Sequence, residues 1–293
     1  MKDLIIDSIR DFVDGSPGNR LAGTNNFYFD KPLVRFADAG DKLFKEYKDI
    51  IGQFHLTPHE AFDLEIGEGS FNGGTVISVV LPVSEAIRKN NRVKKDYASP
   101  EWALLRTFGD EVFINQLVSS TVSYVQQQGF RALSPGRSKS FKVANTETGA
   151  TSNWSERHIA YVAGQGSFSL NDGFITEKGM AVRLISLVTD AVINPDKKEV
   201  KMYNENCLFC SKGSCGACIK RCPVGAITKD GHDKRKCFAF VYGEDSRQRA
   251  FNYGGEYKFS SGCGLCQTGV PCEFKIPGKT ERTFTEAKSA SNN

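Results

Sequence analysis

Nine cysteines crowd into the stretch from Cys207 to Cys272 of this 293-residue chain, and the residues before Cys207 include none. The odd count and one-sided distribution argue against a disulfide framework, which staples the whole of a small secreted domain. Thiols gathered in this way point to metal. The central run is Cys215-Gly-Ala-Cys218-Ile-Lys-Arg-Cys222-Pro223-Val-Gly-Ala-Ile227. Two thiolates separated by two residues grip one iron–sulfur cubane from a tight turn. A cysteine after a spacer of three and before proline points instead to a second cluster, and Cys222 stands in that position. The Val-Gly-Ala-Ile that follows offers small apolar residues to shield a cluster, and solvent exposure is one setting of its potential.

The usual bacterial run would begin at position 212, where this chain has Lys212. Cys207 or Cys210 must then serve across a longer spacer. Further on come Cys237, Cys263-Gly-Leu-Cys266 and, after a long gap, Cys272. With crossed ligands, one 4Fe–4S cluster takes Cys207 or Cys210 with Cys215, Cys218 and Cys272. The other takes Cys222, Cys237, Cys263 and Cys266. Eight ligands serve two clusters and one cysteine is left as apolar filler. Two structural zinc sites would also use four thiolates each, but they require neither the Cys-Pro step nor the crossing.

The rest of the chain reads as a soluble, mixed α/β region. Apolar residues make up 40% and charged residues 25%, with a net charge of +4, which suits a soluble enzyme better than a dedicated nucleic-acid binder. No run approaches the ~18 apolar residues of a membrane helix. The acids in Met1-Lys2-Asp3-Leu4-Ile5-Ile6-Asp7 break any secretory signal, there is no twin-arginine pair, and the expected location is the cytoplasm.

Helices are expected over 2–14 and 37–51 from their apolar period, and a buried strand over Thr75–Leu81 closed by Pro82. Ser99-Pro100-Glu101 opens a long helix to about Gln128, followed by a short strand at 130–133. Residues 134–153 read as a polar loop. Asn153 and Glu156 read as a capping pair for a helix through Val162, which Gly164-Gln165-Gly166 stops. Strands are expected at Phe174–Thr176 and Met180–Ile193, around a turn at Glu177-Lys178-Gly179. Asn194-Pro195-Asp196 marks a boundary, giving a domain over 1–195 and a cluster-bearing domain over 196–293. The polar tail after Gly278 is expected to fray or wrap over the surface.

The segment from Asn153 to Ile175, Asn-Trp-Ser-Glu-Arg-His-Ile-Ala-Tyr-Val-Ala-Gly-Gln-Gly-Ser-Phe-Ser-Leu-Asn-Asp-Gly-Phe-Ile, is similar to the central motif of epoxyqueuosine reductases and corrinoid reductive dehalogenases. Cys222-Pro223, Lys236-Cys237 and Cys263-Gly-Leu-Cys266 resemble the C-terminal module of the same family. The resemblance runs from about Gly74 to Cys272. It implies an α+β fold, in which a nitroreductase-like α/β core is followed by a ferredoxin-like module with two 4Fe–4S clusters. It also implies a cobalamin beside one cluster. Electrons from a small donor such as ferredoxin or flavodoxin would pass through both clusters to cobalt, for reductive cleavage or deoxygenation of a substrate. Gly164, Gly166 and Ser167 match the family's cofactor-facing loop, where glycines let backbone amides approach a ligand. Three departures stand out. The family's catalytic aspartate aligns near Ala150, no tRNA-binding repeats follow Cys272, and no export signal precedes the motif. The first two argue against queuosine chemistry and tRNA, the third against a respiratory dehalogenase.

Reductive cleavage needs a proton donor, and His158 and Tyr161 on the motif's helix are the candidates. Packing is the plainer role for both, as capping is for Glu156 and ion pairing for Arg157. His55 and His59, four apart around Pro58, lack a metal-spaced carboxylate and read as surface or packing histidines. His232 lies in Gly231-His-Asp-Lys-Arg-Lys236, a basic run that could tune a cluster or dock an acidic donor, or simply be a solvated loop. Asn72-Gly73-Gly74 and Gly164-Gln-Gly166 lack the further residues of phosphate and dinucleotide loops. The expectation is an iron–sulfur reductase. The rival is an electron-transfer module without substrate chemistry, and a flavin in the cobalamin's place is a further alternative.

Overall fold

The computed structural model describes residues 1–278 apart from Ala22, Thr148 and Ser260, so the tail beyond Gly278 lies outside the described residues. Helix α1 (Lys2–Gly15) buries Ile5, Ile9 and Val13, the stripe its period predicts. Then come β1 (Leu33–Asp38), α2 (Leu43–Ile50), α3 (Pro58–Ile66), β2 (Thr75–Pro82), α4 (Glu85–Arg92) and α5 (Pro100–Leu104). A π-helix over Leu105–Phe113 runs into α6 (Ile114–Gln127). After it lie β3 (Ala132–Leu133), β4 (Val143–Thr146), β5 (Gly149–Ser152), α7 (Glu156–Val162), β6 (Gly166–Phe168), β7 (Phe174–Thr176) and β8 (Val182–Thr189). The cysteine-bearing part holds only short pieces: α8 (Leu208–Lys212), α9 (Ala217–Arg221), β9 (Ile227–Thr228), β10 (Gly231–His232), α10 (Lys234–Val241) and α11 (Glu244–Asn252).

The main sheet has the order β1-β2-β8-β3 with every neighbour antiparallel. All eight residues of β2 are buried, which is why its sequence is a continuous β-branched run rather than an alternation. Ile77, Val79 and Leu81 pack into one core with α1, Phe113 and Leu117. Val76 and Val188 pack into another with Phe44, Phe62 and Trp154. The sheet is thus covered by helices on both faces, a mixed helix-and-sheet architecture.

Local expectations fail where tertiary partners decide. Residues 37 and 38 are not helical; they end β1, whose Leu33–Asp38 pairs residue by residue with Val80–Thr75. Pro58 starts a helix instead of breaking one: Thr57 caps α3 through a capping box with Glu60, with proline in the first turn. The polar stretch 134–153 contains the β4–β5 hairpin, with Val143 paired to Ser152. Asn153 does not cap α7. Its Oδ1 accepts from Lys142 N and its Nδ2 donates to Ser140 O, closing the hairpin base. Among the described residues no helix is long and apolar enough to cross a membrane.

Candidate metal centre

The cysteines fall into two groups in space. Cys207 immediately precedes α8, Cys218 lies on α9, and Cys215 between them adopts a left-handed φ of 103° next to Gly216 at 98°. That tight bend turns the segment back on itself, and Cys207, Cys215, Cys218 and Cys272 line one pocket together. Ile175, Met180, Phe209 and Val270 supply its apolar wall. Cys272 Sγ lies 3.9 Å from Met180 Sδ, and Cys207 and Cys272 pack in the same small apolar cluster. Cys210 does not line the pocket and is exposed.

Cys222, Cys237, Cys263 and Cys266 form the second group, in which Cys263 feels the charges of Cys237 and Cys222, and Cys266 those of Cys263 and Cys237. Cys266 also feels Cys218, so the groups adjoin. Ala226 N donates to Cys222 Sγ at 3.2 Å: the Val-Gly-Ala-Ile segment supplies a hydrogen bond as well as a shield. Burial pushes the thiols of Cys218, Cys263 and Cys272 up to about 11, 12 and 12 respectively. Dry thiols of this kind stay protonated at neutral pH unless a cation takes the proton's place, which is the chemistry of a thiolate–metal site. Among the described residues no three His, Cys, Asp or Glu side chains close on a single-ion site.

A buried carboxylate ties this region to the rest. Glu273, next to Cys272 and 2% exposed, accepts from Arg92 Nε at 2.8 Å, from Arg88 Nη1 at 3.2 Å and from Gly269 N at 2.8 Å. Arg88 and Arg92 both belong to α4, whose Asn91 also donates to Thr268 Oγ1 at 3.0 Å. Met180 N donates to Cys272 O at 2.8 Å.

The non-cysteine candidates from the sequence scatter more. His158 packs between Tyr47 and Phe168, with ring centroids 4.8 Å from each, and its Nδ1 meets Ser155 Oγ at 2.8 Å. Burial pushes it down to about 3, so it is neutral at pH 7. Tyr161 lies under Lys198 Nζ, 3.6 Å from its ring centroid. Gly164 and Gly166 serve the chain itself. The first has φ 72° and lies against residues 197 and 198, and a Cβ on the second would collide with Ile175 O in the β6–β7 pair. Ser167 is fully buried and accepts from Asn206 N at 2.9 Å. Ala150 sits in the β4–β5 hairpin opposite Asn145. His55 is a packing residue, stacked on Trp154 and accepting from Ser155 N. His59 is exposed and lies 3.5 Å from Asp63.

Glu156 and Arg157 differ from their plainer readings. Glu156 accepts from Ser186 Oγ at 2.7 Å, and that hydroxyl accepts from Trp154 Nε1 at 2.9 Å. Burial raises the carboxyl to about 8. Arg157 makes no salt bridge among the described residues; its nearest charged groups include Asp172, Cys266 and Arg183. Desolvation lowers its pKa, and the residue is exposed at the surface. Nothing in the residue pattern marks Asn171 and Asp172, which look like an ordinary turn before Gly173. Asn171 is buried and donates to Cys266 O at 3.2 Å, and Asp172 reaches His232 at 3.1 Å.

A sheet clad in helices is joined to a part carrying two sets of thiols; the chain has the fold of the epoxyqueuosine reductases and resembles one of them over part of its sequence. It is 32% identical over 128 residues to the epoxyqueuosine reductase of Bacillus anthracis, a match covering 41% of this chain and 30% of that one. An epoxyqueuosine reductase solved with a tRNA-Tyr epoxyqueuosine-modified stem loop aligns over 93% of this chain and 65% of its own, with TM-score 0.52 and 17% identity. A catabolic reductive dehalogenase aligns over 84% of this chain and 30% of its own, with TM-score 0.49 and 14% identity. No family profile matches the chain. The chain thus spans less than two thirds of the length of these relatives.

Proposed function

We propose that this protein is a cytoplasmic iron–sulfur reductase of the epoxyqueuosine reductase type. Residues 1–195 form a nitroreductase-like core, and residues 196–293 a ferredoxin-like module for two 4Fe–4S clusters. The observation that carries the reading is the pocket lined jointly by Cys207, Cys215, Cys218 and Cys272, with a second thiol group beside it. Cys207 is the ligand and Cys210 the spare. The residues fit such a group: soft donors spread around a space with apolar walls suit a polynuclear cluster better than one zinc ion, which draws four sulfurs to about 2.3 Å from a point.

When bound, the clusters would supply single electrons, and a cobalamin the reducing metal for cleavage or deoxygenation of a substrate. The cobalamin enters through the resemblance. The chain's own residues do the rest. The thiolates fix the iron, the Met180 and Phe209 wall excludes water, and Arg157 offers a cation to an anionic group. Glu156 holds a proton up to about pH 8. A small reduced carrier such as ferredoxin or flavodoxin is the proposed electron source. The fold neighbour solved with tRNA keeps tRNA among the candidate substrates, against the expectation drawn from the missing repeats.

The test is anaerobic titration of iron-loaded protein with cob(II)alamin, followed by EPR and visible spectra. A stoichiometric change in the cobalt signal is expected. An unperturbed signal over intact clusters would remove the corrinoid and favour the second reading, an electron-transfer module without substrate chemistry. That reading is favoured by Ala150 in place of an acid and by the packed surroundings of His158 and Tyr161.

A further inference from the structure

The two thiol groups differ in how they meet solvent. Cys215 is exposed, whereas Cys222, Cys237, Cys263 and Cys266 are all half-buried. The left-handed bend at Cys215 and Gly216 carries that thiol to the surface, and a Cβ added to nearby Gly213 would meet open space. Charge in the segments that build this pocket is one-sided. Lys212 lies between the pocket-lining Phe209 and Cys215, and Lys220 follows Cys218 on α9. Lys275 lies between Cys272 and Pro277, which also line the pocket. All three lysines are exposed, and none forms an ion pair or side-chain hydrogen bond among the described residues. The acid of these segments, Glu273, is buried and held by Arg88 and Arg92. Phe274, 47% exposed, adds an apolar side chain next to Lys275. The turn at Glu177 and Lys178, which packs on Glu273 and Phe274 through Gly179, contributes one charge of each sign. The basic run at 234–236 is different, because it is engaged inside the molecule. Lys234 Nζ lies 3.7 Å from Asp172, and Arg235 Nη2 donates to Thr146 O at 3.4 Å.

We propose that the face bearing Lys212, Cys215, Lys220 and Lys275 docks an acidic one-electron carrier protein, which reduces the group held by Cys207, Cys215, Cys218 and Cys272. The inference rests on the two-cluster reading above. The carrier loses one electron, the group gains it, and no bond is made or broken. Lysines without partners attract any polyanion. The exposed sulfur among them favours a carrier protein over a nucleic acid, since only the carrier has an electron to deliver there. Opposite charge on the two partners speeds their encounter by about 10- to 1,000-fold and fixes the approach, and salt screens the effect. The electron thus enters at the first group and not at the second, whose thiols are all less exposed than Cys215.

The experiment is anaerobic stopped-flow reduction of the full chain, reconstituted with iron and sulfide. Two reductants are compared: reduced flavodoxin, an acidic carrier protein, and the methyl viologen radical cation, a small molecule of positive charge. In the triple variant Lys212→Glu, Lys220→Glu, Lys275→Glu the flavodoxin rate at low salt should fall at least about 10-fold and lose most of its salt dependence. Methyl viologen should reduce that variant at least as fast as the unmodified protein. The neutral triple variant Lys212→Gln, Lys220→Gln, Lys275→Gln should fall between, and it decides the matter if the charge-reversed chain loads iron poorly. Equal flavodoxin rates in variant and unmodified protein would overturn the inference. So would an unchanged flavodoxin rate in a variant that has lost affinity for an RNA stem loop, which would make the face a nucleic-acid surface. Failure of flavodoxin to reduce unmodified protein that methyl viologen does reduce would overturn the inference alone. If neither reductant bleaches the visible absorption of the unmodified protein, the two-cluster reading is overturned, and the inference with it.

Discussion

Replacing Glu273 with leucine would strip the acceptor from Arg88, Arg92 and Gly269 at the junction between α4 and the cysteine region. Breaking a buried ion pair from one side costs about 3–5 kcal/mol, because the remaining charges lose their partner. Both arginines also reach Glu85, at 2.8 Å from Arg88 and 2.9 Å from Arg92, so neither is left without any partner. That places the loss near the lower end, about 3 kcal/mol. For a chain of this size 1 kcal/mol moves Tm by about 2–4 °C, so the expected fall is about 6–12 °C. Thermal unfolding followed by far-ultraviolet circular dichroism on iron-loaded protein reads it. Glu85→Gln is the control: its side chain is 56% exposed, and the effect should stay below about 1 kcal/mol. A shift of about 2 °C or less in Glu273→Leu, matching the control, would refute the view that this carboxylate joins the two parts.

Cys207→Ser should lose about half of the bound iron by chemical assay, whereas Cys210→Ser should keep it, since only Cys207 lines the pocket. Gly264→Ala should deplete the second cluster, because Gly264 has φ 64° and an added Cβ would strike the Trp102 indole. Ser186→Ala removes the hydroxyl that joins Trp154 to Glu156 and should destabilise the fold by about 1–3 kcal/mol in denaturant titration. The pH profile of stability follows from three desolvated groups, one buried and two half-buried. Glu156 is raised from 4.5 to about 8, so the folded state holds the extra proton and stability falls as pH rises through that window. His55 and His158 are lowered from 6.5 to about 4 and about 3, so stability is lost as pH falls below 6.5. Together they put a maximum near pH 6.5, and Glu156→Gln should flatten the alkaline side and steepen the rise between about pH 4.5 and 6.5.

Much of the thiol arrangement was legible because ligand spacing is a local property: Cys215, Cys218 and Cys222 announce their geometry within one short run. That Cys207 and not Cys210 lines the pocket was not, since it depends on where Ile175, Met180 and Cys272 arrive from elsewhere in the chain. Helix α1 and strand β2 were readable from their patterns, but β1 was not, because its edge residues have no apolar alternation and take their conformation from β2. The π-helix at Leu105–Phe113 lay hidden inside a good helical pattern, since the period alone does not distinguish the two. The role of the Asn171–Asp172 turn was hidden for a different reason: a turn sequence states its backbone geometry and nothing about what it faces.

Cys272 and Glu273 are consecutive residues, one lining the pocket and the other gripped by α4. The chain cannot withdraw the thiol without tugging on the carboxylate. If the pocket holds iron as proposed, its loss would be felt at the helical core and not merely in the cysteine region, through the linkage that stabilises whichever state binds the ligand. An unloaded copy would hold this junction less firmly.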